Sequence, residues 1–192
     1  LCVVEALQRR GLRCTVVDGA DRLGDVWRGR YQGLHLNTER DASLVPGTSI
    51  PDDVGRWPTG EQWADHIESA AAQLGVQRVH ADVGGVERAP TGSAWLVRIV
   101  GGDPIDADVV VVATGRNRVP ETPPWSGLDS TSLDVLHAAE YKDPAPFIGR
   151  RVLVVGAGNS GTEIGHLLCE AGVDVTLSMR TRPVWAKREL FG

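Results

Sequence analysis

Several features that would indicate other classes of protein are scarce in this 192-residue sequence. Cysteine occurs three times, at Cys2, Cys14 and Cys169, and never as a CxxC pair. An odd, scattered set of this kind favours reduced thiols in a cytoplasmic protein over a disulfide framework or a redox pair. Long apolar runs are also missing. The run VVVVA at 109–113 is far too short to cross a bilayer as a helix, so no transmembrane segment is expected.

Concentrated charge and metal-ligand spacing are missing as well. The net charge is −5 and no tract is rich in lysine or arginine, so a nucleic-acid partner is not expected. The five histidines have no ligand spacing with cysteine or carboxylates and form no HExxH, which argues against a metal site. The sequence leaves the oligomeric state open.

What the sequence does contain is an alternation of buried strands and amphipathic helices. In the first helix, the periodicity points Val3 and Leu7 inward, together with Val4. The strand-helix-strand order indicates an α/β fold made of two Rossmann-like dinucleotide-binding units, both incomplete. Helices are predicted at 1–10, after the capping box TGEQ at 59–62 and at 159–171, and strands at 12–17, 76–80, 83–88, 94–100, 108–113, 151–155 and 173–177.

The strongest motif is VLVVGAGNSG, which gives G-x-G-x-x-G at Gly156, Gly158 and Gly161 between a predicted strand and a predicted helix. The first glycine permits the tight turn, the second lets the backbone approach a pyrophosphate, and the third lets the helix pack close to the strand. The backbone amides of Asn159, Ser160 and Gly161 would then face the phosphates. The alternative is a strand-helix turn that binds no ligand.

The residue after the second strand of this unit indicates which nucleotide binds. An NAD site usually has an acidic residue there, whereas this chain has Arg180 within LSMRTR. An arginine can pair with a 2′-phosphate through two hydrogen bonds, so NADPH is favoured over NADH. The alternative is a solvated basic turn.

The start of the chain repeats this unit. When Gly11 is set on Gly172, LCVVEALQRRGLRCTVVD lies on TEIGHLLCEAGVDVTLSM without a gap. The position equivalent to Gly161 is then the residue before Leu1, which predicts a cut glycine loop just upstream. Asp18 falls where an acid binds an adenosine ribose, as in the ADP half of FAD. The alternative for Asp18 is that it only begins a turn.

Several stretches together resemble the class B flavin-dependent monooxygenases, which include flavin-containing monooxygenases, YUCCA-type enzymes and Baeyer–Villiger relatives. DRLGDVWRGRYQGLHLNT resembles the loop that contacts the flavin in that family, and WPTGEQWADHIESAA resembles the helix that follows it. DADVVVVATGRNRVPETPP resembles the family's ATG strand. FIGRRVLVVGAGNSGTEIG and RTRPVWAKRELFG resemble its NADPH fingerprint and the segment after it. The resemblance covers nearly the whole chain.

The resemblance implies FAD and NADPH as cofactors and assigns residues to them. Asp18 would bind the FAD ribose, Val83 would bind adenine through its backbone, and Asn37 would be a polar partner near the reacting flavin. The alternative for LHLNT is a strand end with an Asn-Thr turn, and Trp27 and Trp63 suit packing better than substrate binding. Near the pyrophosphate or flavin the resemblance places Gly24, Trp27, Leu36, Asn37 and Thr38; beneath the FAD phosphates Ala113, Thr114 and Gly115; and at NADPH Arg180 and Thr181.

The chain also departs from the family pattern. The family signature F-x-G-x-x-x-H-x-x-x-(F/W/Y) keeps its histidine and aromatic residue, at His137 and Tyr141, but has Thr131 and Leu133 at the Phe and Gly positions. The predicted organisation is an FAD-binding domain at 1–125 without its first strand and glycine loop, a linker at 126–149, and the first part of an NADPH-binding domain at 150–192.

The activity that the resemblance implies is oxygen insertion. NADPH would reduce FAD, and a flavin hydroperoxide formed with O2 would transfer one oxygen atom to a small substrate with a nucleophilic nitrogen, sulfur or carbonyl group. One alternative is a disulfide reductase of the thioredoxin reductase type, which would need a CxxC elsewhere. Another is an inactive nucleotide-binding remnant. The 192 residues alone are expected to bind FAD poorly and to be inactive.

Overall fold

A computed structural model describes residues 1–90, 94–115 and 119–182. The chain forms two compact units. The first comprises residues 1–30 and 35–119, and the second comprises residues 31–34 and 120–192. Within the described ranges, no helix combines the length and apolarity needed to cross a membrane. The assignment of the predicted domains 1–125 and 150–192 to FAD and NADPH stays a prediction.

The first unit combines a parallel strand pair with an antiparallel three-stranded sheet. Strand β1 pairs in parallel with β2, and the second sheet has the order β3-β4-β5. The predicted strand 76–80, which we expected to form an antiparallel meander with the two strands after it, instead pairs with the first strand. The elements are α1 Cys2–Gln8, β1 Thr15–Asp18, α2 Asp25–Arg28, α3 Gly60–Gln73, β2 Gln77–His80, β3 Val83–Arg88, β4 Trp95–Ile99 and β5 Ile105–Ala107.

Local signals mark the start of α3 and the glycines that follow α1 and α3, whereas α2 was not predicted. Thr59 caps α3 by accepting from the Gln62 backbone N–H at 3.1 Å, and the Gln62 side chain accepts from the Thr59 N–H at 2.9 Å. This reciprocal pair confirms the predicted capping box. Gly11 and Gly75 follow α1 and α3 with φ of 72° and 58°, the left-handed conformation in which glycine is not strained.

Two predictions in the first unit are wrong. Val3 is 44% exposed, and Val4 is the buried residue of α1, so the inward face of this short helix is turned by one residue. The predicted strand at 108–113 does not form. The segment lies outside the strands, and Val109 and Val112 are 76% and 74% exposed, whereas a buried strand was expected. Apolar character alone did not make a strand, because no described strand supplies partners for this segment's backbone groups.

The second unit is a strand-helix-strand unit that also holds residues 31–34. Its parallel strands β6, Arg151–Val155, and β7, Asp174–Ser178, flank helix α4, Asn159–Glu170. This confirms the predicted order. A buried cluster packs beneath α4, and its members are Tyr31, Tyr141, Ile164, Leu168 and Val173.

His66 is a buried histidine of α3 that should make stability depend on pH. It is 4% exposed, its Nε2 accepts from the Val45 N–H at 3.4 Å, and its ring lies 5.1 Å from that of Trp63. Burial lowers the pKa of His66, and the nearby Ser49 backbone opposes this shift only in part. The neutral ring is therefore the form that the folded state favours.

We expect the free energy of unfolding to fall as pH drops below the ordinary histidine pKa of 6.5. The unfolded chain takes up its proton there, and the folded chain takes it up only at its lower pKa. In His66→Gln, which keeps an acceptor but cannot titrate, the loss between about pH 7.5 and pH 5.5 should be smaller, as denaturant titration would measure. The exposed His166→Gln is the control. An unchanged pH dependence in His66→Gln would contradict the assignment.

Candidate functional site

The glycine motif of the second unit forms a tight loop between β6 and α4. Gly156 has φ of 104°, which an L side chain rarely adopts, and a Cβ at Gly161 would collide with the Gly156 carbonyl oxygen. Gly158 has open space where a Cβ would be, so its backbone is accessible to a ligand. Each glycine therefore shows the property that its place in the motif predicts.

The N-terminus of α4 is arranged to receive an anion. The helix begins at Asn159, directly after Gly158, and Gly158 has no side chain to cap it. Its first intrahelical bond is donated by the Thr162 N–H to the Gly158 carbonyl at 3.0 Å. The amides of Asn159, Ser160 and Gly161 precede that bond and are the donors that a helix leaves for a phosphate.

The predicted 2′-phosphate residue lies at the same end of the sheet as this loop. The Gly156 N–H donates to the Ser178 carbonyl at 2.9 Å, which joins the start of the glycine loop to the last residue of β7. Arg180 and Thr181 follow two and three residues later, and both are exposed. Both residues therefore follow the strand end that is bonded to the glycine loop, and their role toward NADPH stays a prediction. The basic residues Lys187 and Arg188 lie outside the described residues.

In the first unit, Asp18 ends β1 with a partly exposed side chain. It pairs with His80 across the parallel strands, and its Oδ1 accepts from the Ala20 N–H at 2.9 Å. Val83 begins β3 only three residues after His80, and a Cβ at Gly19 would collide with the Asp82 carboxylate. The neighbours of the predicted ribose and adenine contacts therefore approach each other near the end of β1.

The predicted flavin-loop residues differ in their local roles. Gly24 has φ of 92°, and a Cβ there would lie 2.7 Å from the Ala64 carbonyl oxygen of α3, so its glycine is required by packing. Trp27, in α2, is partly buried. Leu36 is 6% exposed, with its N–H donating to the Pro58 carbonyl at 2.8 Å. These contacts order the loop, and its predicted role toward the flavin stays a prediction.

The remaining predicted contacts are accessible. Asn37 and Thr38 are exposed, and the Thr38 hydroxyl lies 2.6 Å from that of Ser43. The segment Ala113–Gly115 is exposed and lies outside the strands, with Gly115 at φ of 82°. Asn37 is therefore at the surface, and its catalytic assignment stays a prediction.

The two retained residues of the family signature have defined places in the second unit. Tyr141 is 3% exposed and lies in the core, with its ring centroid 5.7 Å from that of Tyr31 and 5.8 Å from that of Phe147. His137 accepts from the Ala139 N–H at 3.1 Å through Nδ1. Leu133, at the Gly position of the signature, is 75% exposed, so the substitution creates no buried clash.

Sequence reasoning missed two residues next to Asp18. Arg78 and His80 lie on β2 and contact the turn that follows β1: Arg78 Nη1 donates to the Asp21 carbonyl at 2.9 Å, and His80 Nε2 lies 3.2 Å from the Gly19 carbonyl. Their i, i+2 spacing in QRVH puts both side chains on one face of a strand, which was a usable signal. It became meaningful only once the pairing of β2 with β1 was known.

Comparison with known proteins places this fold in a family. Residues 44–190 match the family described as pyridine nucleotide-disulphide oxidoreductase, which is most of the chain. Indole-3-pyruvate monooxygenase YUCCA1 of Oryza sativa subsp. japonica is 34% identical over 194 residues, covering all of this chain and 48% of that protein. A flavin-containing monooxygenase from Stenotrophomonas maltophilia superimposes with a TM-score of 0.88 at 26% identity, covering 97% of this chain and 56% of that one.

The same fold also serves another chemistry. A bacillithiol disulfide reductase from Staphylococcus aureus has a TM-score of 0.77 at 15% identity, covering 92% of this chain and 53% of that one. At this identity the likeness shows the fold alone. The architecture therefore does not by itself separate oxygen insertion from disulfide reduction.

The chain belongs to the pyridine nucleotide-disulphide oxidoreductase family. Within it, the chain is similar to flavin monooxygenases, which agrees with the resemblance that the sequence motifs show. The chain spans about half the length of the relatives it matches.

Proposed function

We propose that the whole protein carrying this chain is an NADPH-dependent FAD monooxygenase. It would insert one oxygen atom from O2 into a small substrate at a nucleophilic nitrogen, sulfur or carbonyl group. The observation that carries this proposal is a contrast between the two units. Each has a strand that ends beside a predicted nucleotide-binding position, with Asp18 after the first strand and Arg180 after the second.

The first unit fits the ADP half of FAD. The Asp18 carboxylate is 40% exposed at the end of β1, and it can accept hydrogen bonds from ribose hydroxyls. The same negative charge would repel a 2′-phosphate. Val83 begins β3, three residues after the end of β2, and its backbone would bind the adenine. These features support a nucleotide without a 2′-phosphate.

The second unit fits NADPH. The open backbone at Gly158 and the N-terminus of α4 offer amide donors to a pyrophosphate. The exposed Arg180, next to Thr181, offers a planar cation to a 2′-phosphate at the same end of the sheet. One protein would thus hold two nucleotides and distinguish them by charge.

The proposed chemistry needs little acid–base work from this chain. When bound, FAD would supply the redox chemistry, taking electrons from NADPH and passing them to O2. The described residues bind and orient these groups. Asn37, which is exposed after the buried Leu36, is the polar side chain that we propose lies next to the reacting flavin.

The names of the similar proteins support oxygen insertion. The plant relative is named as an indole-3-pyruvate monooxygenase, and the bacterial structure as a flavin-containing monooxygenase. The family description and the disulfide reductase neighbour favour thiol chemistry as the second candidate. That chemistry needs a pair of neighbouring cysteines. The three cysteines here are free and scattered at 2, 14 and 169.

The test uses the whole protein purified with its natural cofactor. We expect bound FAD, oxidation of NADPH that consumes O2, and transfer of oxygen from isotopically labelled O2 into a thioether, an amine, a ketone or an arylpyruvate. Protein without flavin would overturn the proposal. Oxidation of NADPH that reduces a low-molecular-weight disulfide without O2 uptake would favour the second candidate.

Arg180→Ala should show whether the second unit selects NADPH over NADH through the 2′-phosphate. Loss of a charge-assisted contact to the 2′-phosphate should weaken NADPH binding by about 1.5–3 kcal/mol and leave NADH nearly unchanged. The Kd of each nucleotide, measured by calorimetry, gives the comparison. Arg182→Ala, two residues further along, is a matched control. Equal weakening of NADPH and NADH would show that Arg180 does not bind the phosphate.

A further inference from the structure

Side chains of β2 hold the turn after β1 by contacting the backbone carbonyls of that turn. Arg78 donates from Nη1 to the Asp21 carbonyl at 2.9 Å and from Nη2 to the carbonyls of Ala20 and Asp18, the latter at 3.3 Å. His80 Nε2 lies 3.2 Å from the Gly19 carbonyl. Four consecutive carbonyls, from residue 18 to residue 21, therefore face two side chains of one strand.

Few side chains could make this arrangement. Three carbonyls that converge on one point need a donor with several N–H groups in a fixed fork, which a guanidinium supplies and an ammonium does not. The Arg78 side chain is only 19% exposed, so its charge is largely removed from water. The carbonyl dipoles and the Asp18 carboxylate, 3.5 Å away, compensate that charge.

The turn at 18–21 also fixes the position of the Asp18 carboxylate. Oδ1 accepts from the Ala20 N–H at 2.9 Å and is the oxygen 3.5 Å from Arg78 Nη2. The Ala81 N–H donates to the Asp18 carbonyl at 3.2 Å. No residue in the described ranges donates to Oδ2. One carboxylate oxygen is thus held by the protein and the other is left for a ligand.

We propose that Arg78, assisted by His80, is the positioning residue of the adenosine-ribose site: it holds the turn 18–21 so that Asp18 Oδ2 meets the ribose hydroxyls of a nucleotide without a 2′-phosphate. This inference rests on the proposed function, because it takes Asp18 as the ribose-binding residue. What it adds is that ribose recognition depends on the Arg78 guanidinium, which does not contact the nucleotide itself.

The experiment compares two ligands in apoprotein prepared from the whole protein. One is FAD, and the other is the FAD analogue whose adenosine lacks the ribose 2′-hydroxyl. The Kd of each is measured by quenching of flavin fluorescence. A wild-type protein should prefer FAD by about 10-fold, the value of one hydrogen bond to a charged group. Arg78→Gln should weaken FAD by about 10- to 100-fold and bring the two Kd values together.

The controls separate positioning from general damage. Arg98→Gln removes an exposed arginine of β4, paired with Glu87 at 2.7 Å, and should leave the preference unchanged. Adding Arg78→Gln to Asp18→Asn should cause no further loss of FAD binding, because Arg78 acts through Asp18. If Arg78→Gln does not fold, Arg78→Lys and the exposed His80→Gln carry the same test, with a smaller loss of preference.

Three outcomes would overturn the inference. FAD and its analogue could be weakened equally, which is the result of a purely structural role. The losses of FAD binding caused by Arg78→Gln and by Asp18→Asn could add independently in the double variant. The preference could survive in every Arg78 and His80 variant while the wild type binds FAD normally, and in that case the proposed function would stand. Failure of the wild type to bind FAD at all would instead overturn the proposed function and the inference together.

Discussion

Gly161→Ala is expected to lower the free energy of unfolding of the second unit by about 3 kcal/mol. The added Cβ would collide with the Gly156 carbonyl oxygen, which is backbone and cannot swing aside. To relieve the contact, α4 must move away from β6, and its N-terminus would move with it. Nucleotide binding should be lost along with stability. Chemical denaturation with a probe in the second unit measures the first effect, and calorimetric titration with NADPH measures the second.

Two other glycines of the same segment are matched controls. Gly165, in the middle of α4, has nothing within 4 Å of an added Cβ, so Gly165→Ala should be neutral or stabilising by up to about 1 kcal/mol. Gly158 has φ of −77° and open space, so Gly158→Ala should fold normally but bind NADPH at least about 10-fold more weakly, because the methyl group occupies the phosphate approach. One substitution at three positions thus gives three different results. If Gly158→Ala bound NADPH normally, the phosphate loop would be a turn without a ligand.

Gly24→Ala should destabilise the first unit by about 2–4 kcal/mol. Gly24 has φ of 92°, and the new Cβ would lie 2.7 Å from the Ala64 carbonyl oxygen. Gly47→Ala is the control, since Gly47 has a similar φ of 80° with nothing within 4 Å, and it should lose only about 1 kcal/mol of backbone strain. The difference between the two variants isolates the close approach of the loop to α3. Equal losses in denaturant titration would show that Gly24 is needed only for its backbone conformation.

The parts of the fold that were predicted correctly depend on signals close together in the sequence. The capping box at Thr59 and Gln62 and the motif from Gly156 to Gly161 involve residues within six positions, and each has one strongly favoured geometry. The repeat that sets Gly11 on Gly172 is supported in the same way. Both glycines have positive φ after a helix, at 72° and 80°. Local chemistry fixes these features regardless of the rest of the chain.

The parts that were missed depend on which segments meet. The apolar run at 109–113 was predicted as a buried strand, but a strand needs a partner for its backbone, and no described strand pairs with this run. Arg78 had no visible role until β2 was placed beside β1. Residues 31–34 belong to the second unit although both flanking stretches belong to the first. No local pattern marks that exchange.

The most direct test of the central claim is the balance between NADPH and O2 during turnover of the whole protein with a thioether or arylpyruvate substrate. We predict that each NADPH oxidised consumes one O2 and that one labelled oxygen atom appears in the product, with little hydrogen peroxide released. Steady oxidation of NADPH without O2 consumption, or with O2 converted only to hydrogen peroxide for every nitrogen, sulfur and carbonyl substrate tried, would contradict it.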